Sequence, residues 1–486
     1  MSDDRQLNTI SKKAWIILVI LSTVGLVTTY GETMVIPAIP DLIRDFHISY
    51  SLSSWILTSY LIAGAVMTPF AGKLSDIYGR KRVLLYLMII YTFGLLIGAL
   101  SNSIALLITS RIIQGIGISM FSIAFTMILD EFPKKRVATA QGIISAAFSG
   151  GAVIGLAIGG TIIDNFGWRA TFLSVIPLSV FIIAVINKVI SDKLNIHTAD
   201  LVTKSKVSST ESRNLLDFKG VLSLTATITT FLLALTFLDS IEQNFHIIII
   251  LAIASIMSLF MFIFIEKKSI SPLIDLKLLK DSIILPANIV LMFIGCILFM
   301  TYQTIAIMIK NPPPSGFGGS SVDVAHVQLP FIMILFIVSI ISGFLISRLG
   351  NVRPTLIGTV ISSIGFFILF AYHDSEILIA MDLLIIAIGI SFAEVGVFNI
   401  TTQFVPKQYS GISIGITTLL FLVGMSIGPA IAGMFLEQHR NTTGSPSSEA
   451  YNLIFLSGFL ISAISIPLTI IVTKRVLRAN SISIKR

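Results

Sequence analysis

Long apolar runs alternate with short polar breaks along the whole chain. A helix needs about 20 apolar residues to cross the roughly 30 Å hydrocarbon core of a bilayer. Six runs that can form such helices come before residue 191, at 14–39, 52–70, 83–101, 104–129, 138–163 and 170–190. Eight more follow residue 217, at 218–238, 245–265, 282–309, 328–348, 354–372, 377–398, 409–436 and 451–473. The pattern therefore predicts fourteen membrane-spanning helices.

The stretch between the two groups of runs, residues 191–217, is polar and contains several Lys and Ser residues. We interpret it as a cytoplasmic linker. The first apolar run is longer than a signal-peptide core, and no convincing small-residue cleavage site accompanies it. We therefore expect it to remain as the first helix.

The composition indicates a membrane protein, and the distribution of charge predicts its orientation in the membrane. Charged residues make up 12% of the chain, hydrophobic residues 55%, and the mean hydropathy is +0.94, as expected in lipid. The net charge of +8 does not indicate nucleic-acid binding, because the basic residues lie in short loops between apolar runs. Of the 33 Lys and Arg residues, only Arg44, Arg169, Lys310 and Arg440 fall on one side of the predicted membrane, and Arg111 lies within helix 4. The positive-inside rule therefore places both termini in the cytoplasm.

The loop after the second run reads GKLSDIYGRKR and contains Gly72, Asp76, Gly79 and Arg80. Two glycines for a tight turn and an acid among bases predict a short inside loop with local ion pairs. The loop also closely resembles the signature GxLaDrxGRkxx of the major facilitator superfamily of membrane transporters. The segment RIIQGIG, which starts at Arg111, is similar to the superfamily's RxxQGxG pattern, and GWR at 167–169 resembles its entry to helix 6.

Helix 5 contains Gly151, Gly155, Gly159 and Gly160. Glycines four residues apart form a smooth stripe that allows close helix packing. The stripe resembles the antiporter motif GxxxGPxxGG, although Leu156 stands where that motif has proline. Generic helix packing and a specific exchange hinge both remain open as its role.

Helix 1 narrows the family further. Its segment YGETMVIPAIP, at 30–40, resembles the LDxTIVNVALP segment of the fourteen-span drug:proton antiporters, with glutamate Glu32 in place of aspartate. The segment SPLIDL at 271–276 resembles the PLxDL connection of the same family.

The resemblance implies an all-α membrane protein with the major facilitator fold, in which two six-helix bundles and two additional spans give 14 transmembrane helices. We expect an N-terminal bundle at 1–190, the linker at 191–217, the additional helix pair at 218–265 and the C-terminal bundle at 266–486. The bundles would rock to open a central site to each side in turn. The loop at Asp76 and Arg80 would latch them on the cytoplasmic side, and a weaker copy at 347–353 lacks the acid.

Three charged residues are candidates for proton coupling or substrate binding. A carboxylate in a helix centre costs on the order of 2.5 to 3.5 kcal/mol to insert, so Glu32 needs a functional or structural reason. It could carry a proton, hold a cationic substrate, or form a structural hydrogen bond. The resemblance implies that Arg111 assists proton coupling, and a snorkelling arginine is the alternative. Glu394, in span 12 nearer its inside end, is a second carboxylate candidate unless solvated neighbours make it ordinary.

Polar tips within spanning helices seek internal partners, so Tyr30, Tyr60 and Gln114 are candidates for lining the cavity. Asp382 lies near the outside end of span 12, where we expect water to reach it. Cys296 is the only cysteine, which excludes an intrachain disulfide and a thiol-ligated metal site.

These features favour a secondary transporter for proton-coupled efflux of amphipathic or cationic small molecules. Proton-coupled uptake of a nutrient or organic acid uses the same architecture and remains an alternative, as does a non-transporting membrane sensor. An enzyme is not expected, because no metal cluster, nucleophile triad or phosphate loop is apparent. We expect a monomer in the cell membrane whose partners are a small-molecule substrate, protons and the lipid bilayer. It would use the proton gradient and no cofactor, metal or nucleic acid.

Overall fold

The structure is a computed structural model that describes residues 11–133, 136–190, 217–269, 272–274, 276–404, 410–442 and 444–484. Most of the predicted linker, residues 191–216, lies outside the described residues, as does Asp275 of the segment after span 8.

Within the described residues, 14 helices are long and apolar enough to cross a membrane, which confirms the predicted number of spans. The first six are α1 (Lys12–Phe46), α2 (Tyr50–Ser75), α3 (Arg80–Ala99), α4 (Ile104–Ile128), α5 (Gly142–Phe166) and α6 (Trp168–Val189). The additional pair is α7 (Phe218–Asp239) and α8 (Gln243–Lys268). The last six are α9 (Ile284–Lys310), α10 (Ser321–Ile346), α11 (Val352–Ala371), α12 (Glu376–Gln403), α13 (Ser413–Gln438) and α14 (Ser448–Ala479).

The helix ends differ from the predicted ends where polar residues continue a helix beyond the apolar run. The apolar run of the last helix ends at 473, yet the helical backbone continues to Ile484. Hydropathy marks the part of a helix that lipid surrounds, whereas backbone hydrogen bonding continues until a cap or a breaker ends it.

Two of the predicted helices are interrupted close to the candidate residues. In α1 the α-helix ends at Thr33, a 3₁₀ turn covers Ile36–Ala38, and a short α-helix follows. Pro37 and Pro40 explain the interruption, because proline has no N–H to donate to the preceding turn. In α4 a 3₁₀ turn covers Ile116–Ser119. The apolar runs gave no sign of these interruptions, although each run still forms a single candidate span.

The apolar residues form a core in each half of the chain. One buried cluster joins residues of the first six helices, including Leu21, Tyr91 and Phe172. The second joins residues of α9 to α14 and also takes in Tyr60 and Leu156. Because those two residues belong to α2 and α5, these helices face the opposite bundle.

The bundles meet at the ends of their helices that the charge pattern places outside the membrane, here called the outer side. The Thr58 hydroxyl of α2 donates to the Ser426 carbonyl of α13 at 3.0 Å, and the Ser51 hydroxyl donates to the Gly433 carbonyl at 3.2 Å. Gly160 of α5 lies against the backbone of α10.

Glycines nearer the opposite ends of the same four helices have no such neighbours. A Cβ placed on Gly72 of α2, Gly142 of α5, Gly343 of α10 or Gly415 of α13 would meet no non-neighbouring atom within 4 Å. The described hydrogen bonds between these helices thus lie on the outer side, which closes the space between the bundles there.

Candidate functional site between the two bundles

Glu32 lies in the last turn of the first α-helical segment of α1, directly before the interruption. Its side chain is partly exposed, although its neighbours Gly31 and Thr33 are buried. Among the described residues, its carboxyl group has no hydrogen-bond or ion-pair partner, and the charge that acts on it is that of Arg111. The carboxyl group is therefore available to a proton or a ligand.

Arg111 is fully buried within the N-terminal bundle, so the snorkelling alternative is wrong. Its Nε donates to the Ile56 carbonyl at 3.0 Å, and its Nη1 donates to Gln114 Oε1 at 3.0 Å. The guanidinium carbon lies 4.3 Å from the centre of the Tyr60 ring, a cation–π contact. The remaining nitrogen, Nη2, makes no hydrogen bond to a described residue. Arg111 is thus a rigidly held cation with one free donor group.

The opposite bundle contributes Tyr302 of α9 and Glu394 of α12. The Tyr302 hydroxyl interacts electrostatically with the carboxyl groups of both Glu32 and Glu394. The Tyr302 hydroxyl therefore lies within electrostatic range of carboxyl groups on two other helices, one from each bundle. We call Glu32, Tyr60, Arg111, Tyr302 and Glu394 the central cluster.

Glu394 lies nearer the Gln403 end of α12 than the Glu376 end, which is the predicted inside end, and its side chain is partly exposed. Asp382 differs from the expectation, because it is only 6% exposed and its Oδ2 has no hydrogen-bond partner among the described residues. The distance of Asp382 from the end of the helix suggested contact with water. Its position around the helix axis instead turns the side chain into the protein.

The three predicted cavity residues have different surroundings. The Tyr30 hydroxyl pairs with the Ser174 hydroxyl at 2.9 Å inside the N-terminal bundle, so Tyr30 does not line the space between the bundles. Gln114 is fully buried, accepts from Arg111 and donates to the Gly94 carbonyl at 3.3 Å. Gln114 therefore supports Arg111 and is not a cavity residue. Tyr60 alone of the three faces the opposite bundle, and its hydroxyl has no partner among the described residues.

The glycine stripe of α5 serves two different contacts. Gly151, Gly155 and Gly159 face α1, where the carbonyl of Tyr30 would lie 2.6 Å from a Cβ on Gly155. Gly160 instead faces Ser321 of the opposite bundle. Three of the four glycines therefore pack α1 within its own bundle, and one lies at the contact between bundles.

The predicted cytoplasmic latch is described in part. Gly79 joins α2 to α3 with a φ of 91°, and Gly350 joins α10 to α11 with a φ of 78°, so the two halves share a turn that favours glycine. Arg80 Nη1 donates to the Thr126 carbonyl of α4 at 2.7 Å, a contact within the N-terminal bundle. Gly72 faces open space. The side chain of Asp76 lies outside the described residues, as do those of 347–349.

Three carboxylates close the outer side, and we call their contacts the outer gate. Asp41 of α1 pairs with Lys310 of α9 at 2.6 Å, and both side chains are largely buried. The backbone N–H groups of Ser321 and Val322 in α10 donate to Asp164 of α5 at 3.1 and 3.0 Å. The N–H of Tyr50 in α2 donates to Glu437 of α13 at 2.7 Å.

The outer gate was missed by sequence reasoning. The charge pattern places Lys310 on the outer side of the membrane. Its neighbours in the sequence do not indicate that it pairs with Asp41, which lies 269 positions away. The described residues contain no group of three or more His, Cys, Asp or Glu that could hold a metal ion.

Comparisons with known proteins give the family. The family model described as Major Facilitator Superfamily matches residues 21–429 and, in a second match, 291–485. The multidrug resistance protein Stp of Mycobacterium tuberculosis is 26% identical over 442 residues, covering 89% of this chain and 78% of that protein. The lincomycin resistance protein of Streptomyces lincolnensis is 23% identical over 449 residues, covering 91% of this chain and 89% of that protein.

Solved structures share the fold. A bacterial homologue of the human lysosomal transporter Spinster, in an inward-facing and unoccupied conformation, aligns with a TM-score of 0.65 at 14% identity over 97% of this chain and 99% of that one. The human organic anion transporter MFSD10 aligns with a TM-score of 0.59 at 14% identity over 93% of this chain and 100% of that one. The fourteen helices, their division into two bundles and these matches together show that the chain belongs to the major facilitator superfamily of membrane transporters.

Proposed function

We propose that this transporter exports amphipathic, cationic small molecules in exchange for protons. The observation that carries the proposal is the carboxyl group of Glu32, which is partly exposed beside the buried Arg111 and lacks a hydrogen-bond partner among the described residues. A carboxyl group without a fixed partner can bind either a proton or an organic cation, but not both at once. Competition of this kind is what couples two solutes that move in opposite directions.

Residues of the central cluster would carry out the steps of the exchange cycle. With the space between the bundles open to the cytoplasm, the Glu32 carboxylate would attract a cation. After the bundles rock, a proton from outside would neutralise Glu32 and release the cation. Return to the inward-facing state would deliver that proton to the cytoplasm. Glu394 of the opposite bundle, whose carboxyl group interacts with the same Tyr302 hydroxyl as that of Glu32, would add a second negative charge that favours cations.

Arg111 has a separate role in this scheme. Its hydrogen bonds to Ile56 and Gln114 keep the guanidinium in place throughout, so its charge acts on Glu32 from a constant position. The free Nη2 can donate to the Glu32 carboxylate after the proton leaves. The empty, unprotonated carrier would then differ from the cation-loaded one.

The relatives support a drug-related substrate. Stp and the lincomycin resistance protein carry resistance names, and the multidrug transporter protein MdtP of Bacillus subtilis is 26% identical over 402 residues. We extend that association to this chain as part of the proposal.

Proteoliposomes with a pH gradient test the proposal, with ethidium as the cation. Exchange predicts that liposomes with an acidic interior accumulate ethidium, whereas liposomes with an acidic exterior do not. Glu32→Gln should abolish this accumulation because the amide cannot carry a proton. Asp382→Asn, which removes a buried carboxyl group outside the central cluster, should retain it.

Two results would contradict the proposal. Gradient-driven accumulation by Glu32→Gln would remove Glu32 as the proton carrier. Accumulation driven by an acidic exterior would replace exchange by uptake together with protons.

A further inference from the structure

The additional pair α7–α8 lies beside the junction of the two bundles and contacts both of them. Helix α7 packs against α2 of the N-terminal bundle and against α13 of the C-terminal bundle. Its buried residues Leu224, Ile228 and Leu232 share an apolar cluster with Ile416 and Leu419 of α13. When the bundles reorient, α7 cannot keep both sets of contacts unchanged.

The contact with α2 is polar or aromatic at both ends. On the outer side, Trp55 Nε1 donates to the Thr236 hydroxyl at 2.9 Å. Near the opposite end, the rings of Phe70 and Phe218 meet edge to face with their centres 5.1 Å apart. Helix α7 therefore runs antiparallel to α2 along nearly its whole length.

A buried charge cluster strengthens the contact at the inner end. Lys73 of α2 donates to the Pro272 carbonyl, just after α8, at 2.8 Å. Glu266 of α8, which is only 4% exposed, accepts from the N–H groups of Leu273 and Ile274 at 3.3 and 3.2 Å. Glu266 thus fixes the segment whose carbonyl Lys73 holds.

Asp217 at the start of α7 completes this cluster. It is 9% exposed, its Oδ1 accepts from the Gly220 N–H at 2.7 Å, and Lys73 interacts electrostatically with both Asp217 and Glu266. We call Lys73, Asp217, Glu266 and Pro272 the inner clamp. Removing the lysine would leave two buried carboxyl groups without their compensating cation, which is costly in a low-dielectric site.

The contact with α13 has a different chemistry. Within the parts of α7, α8 and α13 that the structure describes, the shared cluster is apolar and no hydrogen bond or ion pair joins the pair to α13. The carboxyl groups of Asp239 and Glu437 do interact across this contact, and like charges repel. Apolar surfaces can shift past each other without leaving a polar group unpaired, whereas directed hydrogen bonds cannot.

We infer that α7–α8 moves with the N-terminal bundle as one rigid body and slides over α13 during transport. The difference between the two contacts determines which of them is kept. Lys73 is the positioning residue, and it follows Gly72 near the inner end of α2, in the segment that resembles the superfamily signature. The helix pair is thereby attached directly to that segment.

Distances between spin labels test the inference without a substrate or a proton gradient. In a Cys296→Ala background, labels replace the exposed residues Lys267 of α8, Val189 of α6 and Leu477 of α14 in pairs. Conformation is changed with Asp164→Ala, which weakens the outer gate. We expect the Lys267–Val189 distance to stay constant while Lys267–Leu477 changes together with Val189–Leu477. A constant Lys267–Leu477 distance while Val189–Leu477 changes, or changes in both of the Lys267 distances, would overturn the inference.

A matched pair of lysine variants tests the inner clamp itself. Lys73→Met should broaden the Lys267–Val189 distance distribution, because the pair is then held at its outer end and by apolar contacts alone. Lys219→Met removes an exposed lysine at the same end of α7 and should leave the distribution unchanged. Equal broadening in both variants, or none in Lys73→Met, would contradict the role of Lys73.

Discussion

The outer gate predicts that Asp164→Ala shifts this transporter towards its outward-open state. Asp164 belongs to α5 of the N-terminal bundle but accepts the N–H groups of Ser321 and Val322, which begin α10 of the C-terminal bundle. It therefore acts as a helix cap supplied by the opposite bundle. Since the contact exists only while the outer side is closed, its loss destabilises the closed state and leaves the open state unchanged.

The size of the shift follows from the energy of the cap. Replacing a capping side chain by alanine costs about 0.5–2 kcal/mol, and the carboxylate at a helix N-terminus adds a few tenths more. Asp164 is exposed, so we take a total of about 1.4 kcal/mol, which is a tenfold change in an equilibrium constant. A protein that is outward-open about 5% of the time would then be outward-open about a third of the time.

The assay is the distance between spin labels at Asn102 and Asp374, exposed residues on the outer sides of the N-terminal and C-terminal bundles. The cysteine-free background again carries Cys296→Ala. Asp164→Ala should raise the ratio of long to short distances about tenfold, as expected from the energy of the lost cap.

Asp323→Ala is the matched control. Asp323 caps the same helix, but its capping box with Ser320 lies entirely within the C-terminal bundle. Its loss should lower stability without changing the distances. An equal shift in both variants would refute the reasoning, since the effect would then come from a weakened helix and not from the gate. An unchanged Asp164→Ala distribution would do the same.

The ion pair and the glycine stripe give two further predictions. Lys310→Asp should open the outer side by placing like charges at Asp41, and the double exchange Asp41→Lys with Lys310→Asp should restore part of the short-distance population in the same assay. Gly155→Ala should lower the thermal unfolding temperature, because a Cβ there would lie 2.6 Å from a backbone carbonyl and such overpacking costs about 1–3 kcal/mol. Gly150→Ala, whose Cβ would meet no non-neighbouring atom within 4 Å, should leave the temperature unchanged or slightly raise it, and an equal loss in both variants would remove the packing explanation.

Hydropathy predicted the number of spans because lipid imposes a simple requirement on every spanning helix. The number of spans and the resemblance of the Gly72–Arg82 loop both led to the family that the comparisons show. The interruption of α1 was visible in principle, since Pro37 and Pro40 stand in the sequence, but an apolar run does not report a change from α to 3₁₀ geometry.

The candidate site was harder to predict because the type of a residue does not say which neighbouring helix its side chain faces. Tyr30 and Tyr60 are both tyrosines in apolar helices, yet one bonds Ser174 inside its bundle and the other faces the opposite bundle. Tyr302 was not singled out at all, since its importance comes from its proximity to two carboxyl groups on other helices. Contacts of this kind depend on how helices are rotated and paired, which a single sequence does not contain.

The outer gate also bears on how this transporter can change over evolutionary time. Two of its three carboxylates, Asp164 and Glu437, contact only main-chain N–H groups of the opposite bundle, and the hydroxyls of Ser51 and Thr58 beside the gate likewise contact only main-chain carbonyls. Main-chain donors and acceptors survive almost any substitution at their own positions. Mutations that accumulate in the facing segments therefore leave the gate intact, and the constraint falls on one residue of each contact. A lineage could alter its surface and its substrate preferences widely while it retained a working closure.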